Sequence, residues 1–439
     1  MCQTQIIDSM DKFTPTEYTL QCVATGEEFA DEGWTLDCPT CNTPSLIRTQ
    51  YTRRQLHIRN EQGLYKYRDW LPMRRLLYCQ AAHATYRSEG LARALGLQNL
   101  YITFNGYLPE RGATMTTCSF KECEAYAVCA RTYSDENRVL VVASAGNTAR
   151  AFAKVCSENN IKLLLVVPED NLEALWFNTP INHKCVKLIA CAKGGDYYDA
   201  IALSEIVLTS PMFYAEGGAK NVARRDGMGT TVLSAATEIG RIPDYYFQAV
   251  GSGTGAIAAW ETNLRLLEDG RFGKNIMRLM ISQNAPFLPI YKAWHNHSRE
   301  LLPYSAEVAR RDASHIEAKV LSNRRPPYAI VGGLYDALKA TNGDVLQVSN
   351  AEARAAAQLF YATERVDIHP AAAVTVASLA KEVRRNRIER NATIMLNITG
   401  GGEARYRAEH KSFHLQPDLV FPLSPNAEEV VLKVEELFA

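Results

Sequence analysis

Lys121 closes the stretch Thr117-Cys118-Ser119-Phe120-Lys121 and opens a predicted helix that runs on through Glu122, Glu124 and Ala125. A helix start is a poor place for an ammonium, because the dipole there favours anions. The same field lowers the cost of a neutral amine, and that is the form that condenses with a carbonyl. A solvated surface lysine has the same appearance in sequence, so this segment decides nothing alone. A second segment, Ser144-Ala145-Gly146-Asn147-Thr148, follows a predicted strand and precedes a predicted helix. Its N–H groups point at whatever anion sits there, and a carboxylate suits them. Capping of that helix by Ser144 or Asn147 is the structural alternative, and it uses the same donors.

Three further segments carry chemistry. In Gly251-Ser252-Gly253-Thr254-Gly255, three glycines in five residues let the backbone wrap a phosphate dianion between a strand and a helix. A dinucleotide loop is the competing reading, but the spacing is G-x-G-x-G rather than G-x-G-x-x-G. A plain turn is the third. Asn397-Ile398-Thr399-Gly400-Gly401-Gly402 places a hydroxyl at a strand end before flexible glycines, where it can meet a ring nitrogen. In Lys220-Asn221-Val222-Ala223-Arg224-Arg225, the Arg224 guanidinium offers a bidentate fit to phosphate, with Asn221 and Lys220 as helpers. A solvated charged run is the alternative for Arg224 and Arg225.

The elements that must position these segments alternate along the chain. Strands are predicted at 100–104, 139–143, 162–168, 186–190, 245–250, 277–283 and 392–398. Helices are predicted at 196–207 and 257–267, with a closing helix over 425–438 capped by Asn426. Short apolar β-rich runs between helices indicate parallel sheets covered on both faces, an α/β class. The domain division expected is a cysteine-containing cap at 1–50, a large domain from 51–118 and 235–439, and a small inserted α/β domain at 119–234.

Composition narrows the function classes. Lys+Arg and Asp+Glu both number 48, so no basic excess points to nucleic acid or to a membrane surface. The N-terminus has no apolar core of signal-peptide length, and the strongest apolar run, Leu163 to Val167, is too short to span a bilayer. Cysteines number 11, an odd count, and several sit in apolar or helical patterns, as do Cys129, Cys156 and Cys185. That pattern reads as reduced thiols in a cytoplasmic protein. In the first 50 residues, Cys22, Cys38 and Cys41 suggest a zinc ribbon, but its first pair reads Cys22-Val-Ala-Thr25 and lacks a ligand. Cys2 has the wrong spacing to replace it. No metal is expected, and those three thiols are the only candidate set.

Taken in order, these segments resemble the motif set of fold-type II pyridoxal 5'-phosphate enzymes, over nearly the whole chain. The cysteine cap and the Asn221-x-x-Arg224-x-x-Gly227 run look like the threonine synthase branch. Threonine synthases follow the lysine with Asp-Arg-Gly, whereas here Glu122-Cys123-Glu124-Ala125 stands. That run, with Gly218 to Gly229, is similar to the archaeal cysteate synthases, a paralogous group. The resemblance implies a tryptophan synthase β-like fold with two doubly wound parallel-sheet domains and a small ribbon-like cap. It implies that Lys121 carries the cofactor as a Schiff base and is the catalytic base. Gly251, Ser252, Gly253, Thr254 and Gly255 would hold the cofactor phosphate, Asn147 the ring hydroxyl, and Thr399 the ring nitrogen. Ser144, Ala145, Gly146 and Thr148 would take the substrate carboxylate, and Asn221 and Arg224 the substrate phosphate. The implied reaction joins O-phospho-L-serine and sulfite into L-cysteate and phosphate, for coenzyme M synthesis, in a homo-oligomer. Threonine synthase action on O-phospho-L-homoserine is the alternative, and a non-catalytic zinc or binding protein on the same fold is the alternative of another class.

Overall fold

The computed structural model describes residues 13–144 and 146–439, so Cys2 and Ala145 lie outside the described residues. Two parallel sheets organise the chain. The smaller runs Phe213–Ala215, Val139–Ala143, Leu163–Pro168, Val186–Cys191, Leu419–Phe421, with every neighbouring pair parallel. The larger runs Asp344–Val348, Arg278–Asn284, Tyr245–Ala249, Thr393–Ile398, Asn99–Phe104, Ala84–Arg87, parallel except for the last pair.

The central strands are largely apolar because both faces are covered. Along the smaller sheet, Leu140, Val142, Leu163 and Leu165 pack with the helices Lys121–Arg131 and Asn147–Asn159. Their neighbours Val139, Val141, Leu164 and Val166 pack on the other face with the helices Tyr197–Val207 and Ala427–Glu436. The larger sheet repeats the pattern, with Ile394 and Leu396 on one face and Met395 on the other. This period of two fixes the register, since a one-residue slip would exchange the two cores.

The predicted strands and helices form with boundaries shifted by a few residues. Asp196 becomes the N-cap of Tyr197–Val207 in a capping box with Asp199, and Asn426 caps the last helix through the Glu429 N–H. The domain division needs correction at the C-terminus. Leu419–Phe421 pairs with Val186–Cys191, and the last helix packs against Tyr197–Val207. Residues 419–436 therefore belong to the smaller sheet and not with the rest of 235–439. Their apolar residues Phe421, Val430 and Val434 are buried in the core on that sheet's face.

The N-terminal cap is a three-stranded antiparallel sheet, Glu28–Phe29, Tyr18–Cys22, Ile47–Tyr51. It is fastened to the rest of the chain by the Trp34 indole N–H donating to the Ala215 carbonyl at 2.8 Å and by the Asp31–Arg131 pair at 2.8 Å. Among the described residues no helix is long and apolar enough to cross a membrane.

Candidate active site

The turn before Lys121 is stapled to the glycine loop near the C-terminus. Ser119 bridges Gly400, Phe120 N–H donates to the Thr399 carbonyl at 3.0 Å, and Gly401 N–H donates to the Cys118 carbonyl at 3.1 Å. The glycines serve close approach rather than the flexibility expected of them. A Cβ on Gly400 would stand 2.7 Å from the Cys118 carbonyl oxygen, and one on Gly401 2.5 Å from that of Asp367. Cys118 takes a left-handed φ of 52°, which bends the chain so that Lys121 starts its helix facing the cleft.

Lys121 lines two adjoining cavities. The smaller, of about 80 Å³, brings it together with Asn147, the whole Gly251–Gly255 loop and Thr399. The larger, of about 560 Å³, brings it together with Ser144, Gly146, Thr148, Lys220 and Arg224. Asn147, Ser252 and Thr254 line both. Five segments separated in sequence thus share one cleft.

The donors fit pyridoxal phosphate. Gly253, at φ 79°, is the N-cap of the helix Thr254–Asp269 and has no side chain to cap it, so the first N–H groups are suited to a phosphate. The loop is also a tight cradle, because a Cβ on Gly253 would sit 2.5 Å from Leu334 Cδ2. Lys121 supplies the amine, Asn147 an amide, and Thr399 a nearly buried hydroxyl.

Comparison with known proteins agrees with this donor set. Residues 85–400 match the family model described as pyridoxal-phosphate dependent enzyme. The cysteate synthase of Methanospirillum hungatei is 45% identical over 421 residues, covering 96% of this chain and 98% of that protein. The chain belongs to the cysteate synthase family of pyridoxal-phosphate dependent enzymes. The cysteate synthase of Methanoculleus marisnigri is 46% identical over 408 residues, covering 92% of this chain and 93% of that protein. Among solved structures, maize serine racemase superposes with a TM-score of 0.56 at 14% identity, covering 74% of this chain and 91% of that one. Tomato threonine deaminase gives 0.53 at 17% identity, covering 82% and 98%. These two likenesses establish the fold-type II architecture. Family membership makes the chain an enzyme and sets aside the dinucleotide and non-catalytic readings.

Within this cysteate synthase-family site, burial lowers the Lys121 ammonium below its usual pKa, against the opposing pull of Glu124. Lys121 Nζ lies 3.0 Å from Glu124 Oε2, and Arg224 Nη1 lies 3.3 Å from the same oxygen. Arg224 is also gripped by Glu216, at 2.8 Å and 2.5 Å. Burial opposes its charge, but the two carboxylates outweigh burial and raise its pKa.

Several expected site residues have other roles. Asn221 is fully buried and does not line the cavities. Its Oδ1 accepts from Arg131 and caps the next helix through Ala223 N–H, while its amide donates to the Glu216 carbonyl at 2.7 Å. It caps the helix that carries Arg224 and lies behind the cavity wall. Arg225 is no surface charge, because it is buried and paired with Glu261 at 2.8 Å. Lys220 lines the larger cavity but is paired with Asp37 at 2.7 Å. Ser144 Oγ accepts from Gly146 N–H and Ala149 N–H, both at 3.0 Å, so it caps the helix with its own hydrogen left to donate.

Sequence reading did not reach Glu124, Glu216, Tyr197 or Arg324 as site residues. Glu124 stands one helical turn from Lys121, whereas Glu216, Tyr197 and Arg324 carry no local pattern and come to the cleft only when the elements pack. Cys22, Cys38 and Cys41 are free thiols. Burial alone would raise Cys22, but hydrogen bonds from Thr25, Cys38 and Ser45 bring it down to about 6. Among the described residues no group of three His, Cys, Asp or Glu is placed to hold a metal.

Gly146 adopts φ 141°, and a Cβ there would stand 3.0 Å from Ala174 Cβ. Gly146→Ala is expected to lower stability by about 1–3 kcal/mol, read as a shift in the urea midpoint. KM for the amino acid substrate should rise with it, because Asn147 and Thr148 follow directly.

Proposed function

We propose that the chain converts O-phospho-L-serine and sulfite to L-cysteate and phosphate. The observation that carries this reading is the meeting of Lys121, Asn147, the Gly251–Gly255 loop and Thr399 around one cleft, in a chain whose near relatives are cysteate synthases. Bound pyridoxal phosphate supplies the electron sink for the negative charge at the substrate Cα.

The residues of the chain do the rest. Lys121 would hold the cofactor covalently, and its free amine is the group placed to take the Cα proton and later return it. The Gly251–Gly255 amides would anchor the cofactor phosphate, Asn147 would bond its ring hydroxyl, and Thr399 would be the partner of its ring nitrogen. A hydroxyl partner would leave that nitrogen neutral, which would temper the charge at Cα and favour replacement at Cβ over transamination. Ser144, Gly146 and Thr148 take the substrate carboxylate, and Arg224 with Lys220 takes the substrate phosphate. The Cβ–O bond breaks with phosphate leaving, and a Cβ–S bond forms from sulfite. Both substrates are anions, and Lys121, Lys220, Arg224, Arg324 and Arg325 line the larger cavity. The free cysteines support a cytoplasmic setting. Family resemblance supports a homo-oligomer and a place for the product in coenzyme M synthesis.

Product analysis tests the reading. Purified protein loaded with pyridoxal phosphate is expected to release cysteate and phosphate from O-phospho-L-serine only when sulfite is present. Turnover of O-phospho-L-homoserine to threonine, with none of phosphoserine, would replace it with threonine synthesis.

A further inference from the structure

Glu124 has no solvent exposure, yet only one of its carboxylate oxygens is used. Oε2 meets Lys121 Nζ at 3.0 Å and Arg224 Nη1 at 3.3 Å, while Oε1 has no hydrogen-bond partner among the described residues. Burying a half-satisfied carboxylate is costly, and a hydrophobic residue would pack at this helix position without that cost. The spacing explains the contact, because residues three apart on a helix share a face.

The charged and titratable groups facing the pair come from three other elements. Arg224 comes from the helix Val222–Ile239, Glu216 from the turn after Phe213–Ala215, and Tyr197 from the start of Tyr197–Val207. Lys220 lines the same cavity and is held by Asp37. On the same helix, Glu122 turns away and accepts the Thr117 N–H at 2.6 Å. Glu216 grips Arg224 with two bonds, which keeps that guanidinium from claiming Glu124 entirely. The Lys121 amine is thus poised between carboxylates that favour its charged form, Glu124 in contact and Glu216 farther off, and one guanidinium that opposes it.

We propose that Glu124 is a positioning residue for Lys121, holding the ε-ammonium at the cavity wall whenever that amine carries the proton and setting the pH at which it gives the proton up. This rests on the reading of Lys121 as the cofactor-bearing lysine. The carboxylate does not touch the reacting carbon. It keeps the protonated amine in place until the proton returns to Cα, so the amine neither swings into solvent nor loses its proton early.

The test uses the full-length chain before cofactor loading. Lys121 is trace-labelled with acetic anhydride across a pH series, and its peptide is quantified by mass spectrometry. Glu124→Gln keeps the shape and removes the charge, and its labelling midpoint is expected to fall by roughly one to three pH units. Arg224→Gln removes the opposing cation, and its midpoint is expected to rise. A purely structural Glu124 would not move the two variants in opposite directions. An unmoved or raised midpoint in Glu124→Gln overturns the proposal. Should that variant fail to fold, an Arg224→Gln midpoint that does not rise overturns it instead. Borohydride fixation of pyridoxal phosphate to Lys121, read on the same peptide, reports the underlying reading separately. Fixation with unmoved midpoints overturns the role of Glu124 alone, and absence of fixation overturns both.

Discussion

Lys121→Ala protein, purified with pyridoxal phosphate, is expected to show none of the visible absorbance that the wild type shows. Its rate of product formation should fall by roughly 10²–10⁴-fold or more, the range for a lost general acid–base, with the covalent tether lost as well. The fold should survive. The Lys121 side chain is 21% exposed and lines a cavity, so truncating it opens no void in the core. Glu124 keeps Arg224 at 3.3 Å and is not left as a lone buried charge. Near-UV circular dichroism unchanged from wild type, together with a colourless protein, is the expected pair of readings. A Lys121→Ala protein that keeps the visible band would show that another lysine carries the cofactor.

The second large effect lies away from the cleft. Asp31 is the point where the N-terminal cap meets the smaller sheet. It accepts from Arg131 Nη2 at 2.8 Å, Arg131 Nε at 3.0 Å and Tyr18 OH at 2.6 Å, with Arg74 at 3.0 Å. The Asp31 side chain is 4% exposed and that of Arg131 is fully buried. Breaking one partner of a buried pair strands the other charge, so Asp31→Asn is expected to cost about 3–5 kcal/mol in denaturant unfolding.

The pH dependence has a definite sign. Burial raises the Asp31 carboxyl, but the hydrogen bonds and charge of Arg131, with Tyr18 and Arg74, outweigh it and hold the pKa below the ordinary carboxylate value. A depressed folded pKa means the stabilisation is complete above the unfolded value and is lost as pH falls through the folded one. The difference between wild type and Asp31→Asn should therefore be flat near neutral pH and shrink in acid. A difference that grew on acidification would contradict the assignment. Arg131 also donates to Asn221 at 3.0 Å, and Asn221 caps the helix that carries Arg224. Loss of Asp31 should therefore weaken binding of the substrate phosphate as well, read as a rise in KM.

The Lys121, Ser144–Thr148, Gly251–Gly255 and Thr399 segments were legible because each is a strand-to-helix or loop-to-helix junction with its own local signature. Glycine frees the backbone, and a helix start presents unpaired donors. Arg224 was legible as a cation but not as one already held by Glu216 and Glu124. Asn221 looked like a ligand because an amide in a polar run gives no sign of burial. Leu419–Phe421 was missed as a strand of the smaller sheet, since three residues carry no periodicity.

Local order and chemistry were written in the sequence. Alternating apolar runs set an α/β class, and the ordered lysine, asparagine, glycine-loop and threonine segments set the cofactor. Packing decided which charges from other elements face the Lys121–Glu124 pair. The Lys121–Glu124–Arg224–Glu216 cluster joins a pair one turn apart on one helix to charges from two other elements. A side chain's partner, and hence its charge state, depends on distances of a few ångströms that exist only once the helices are docked.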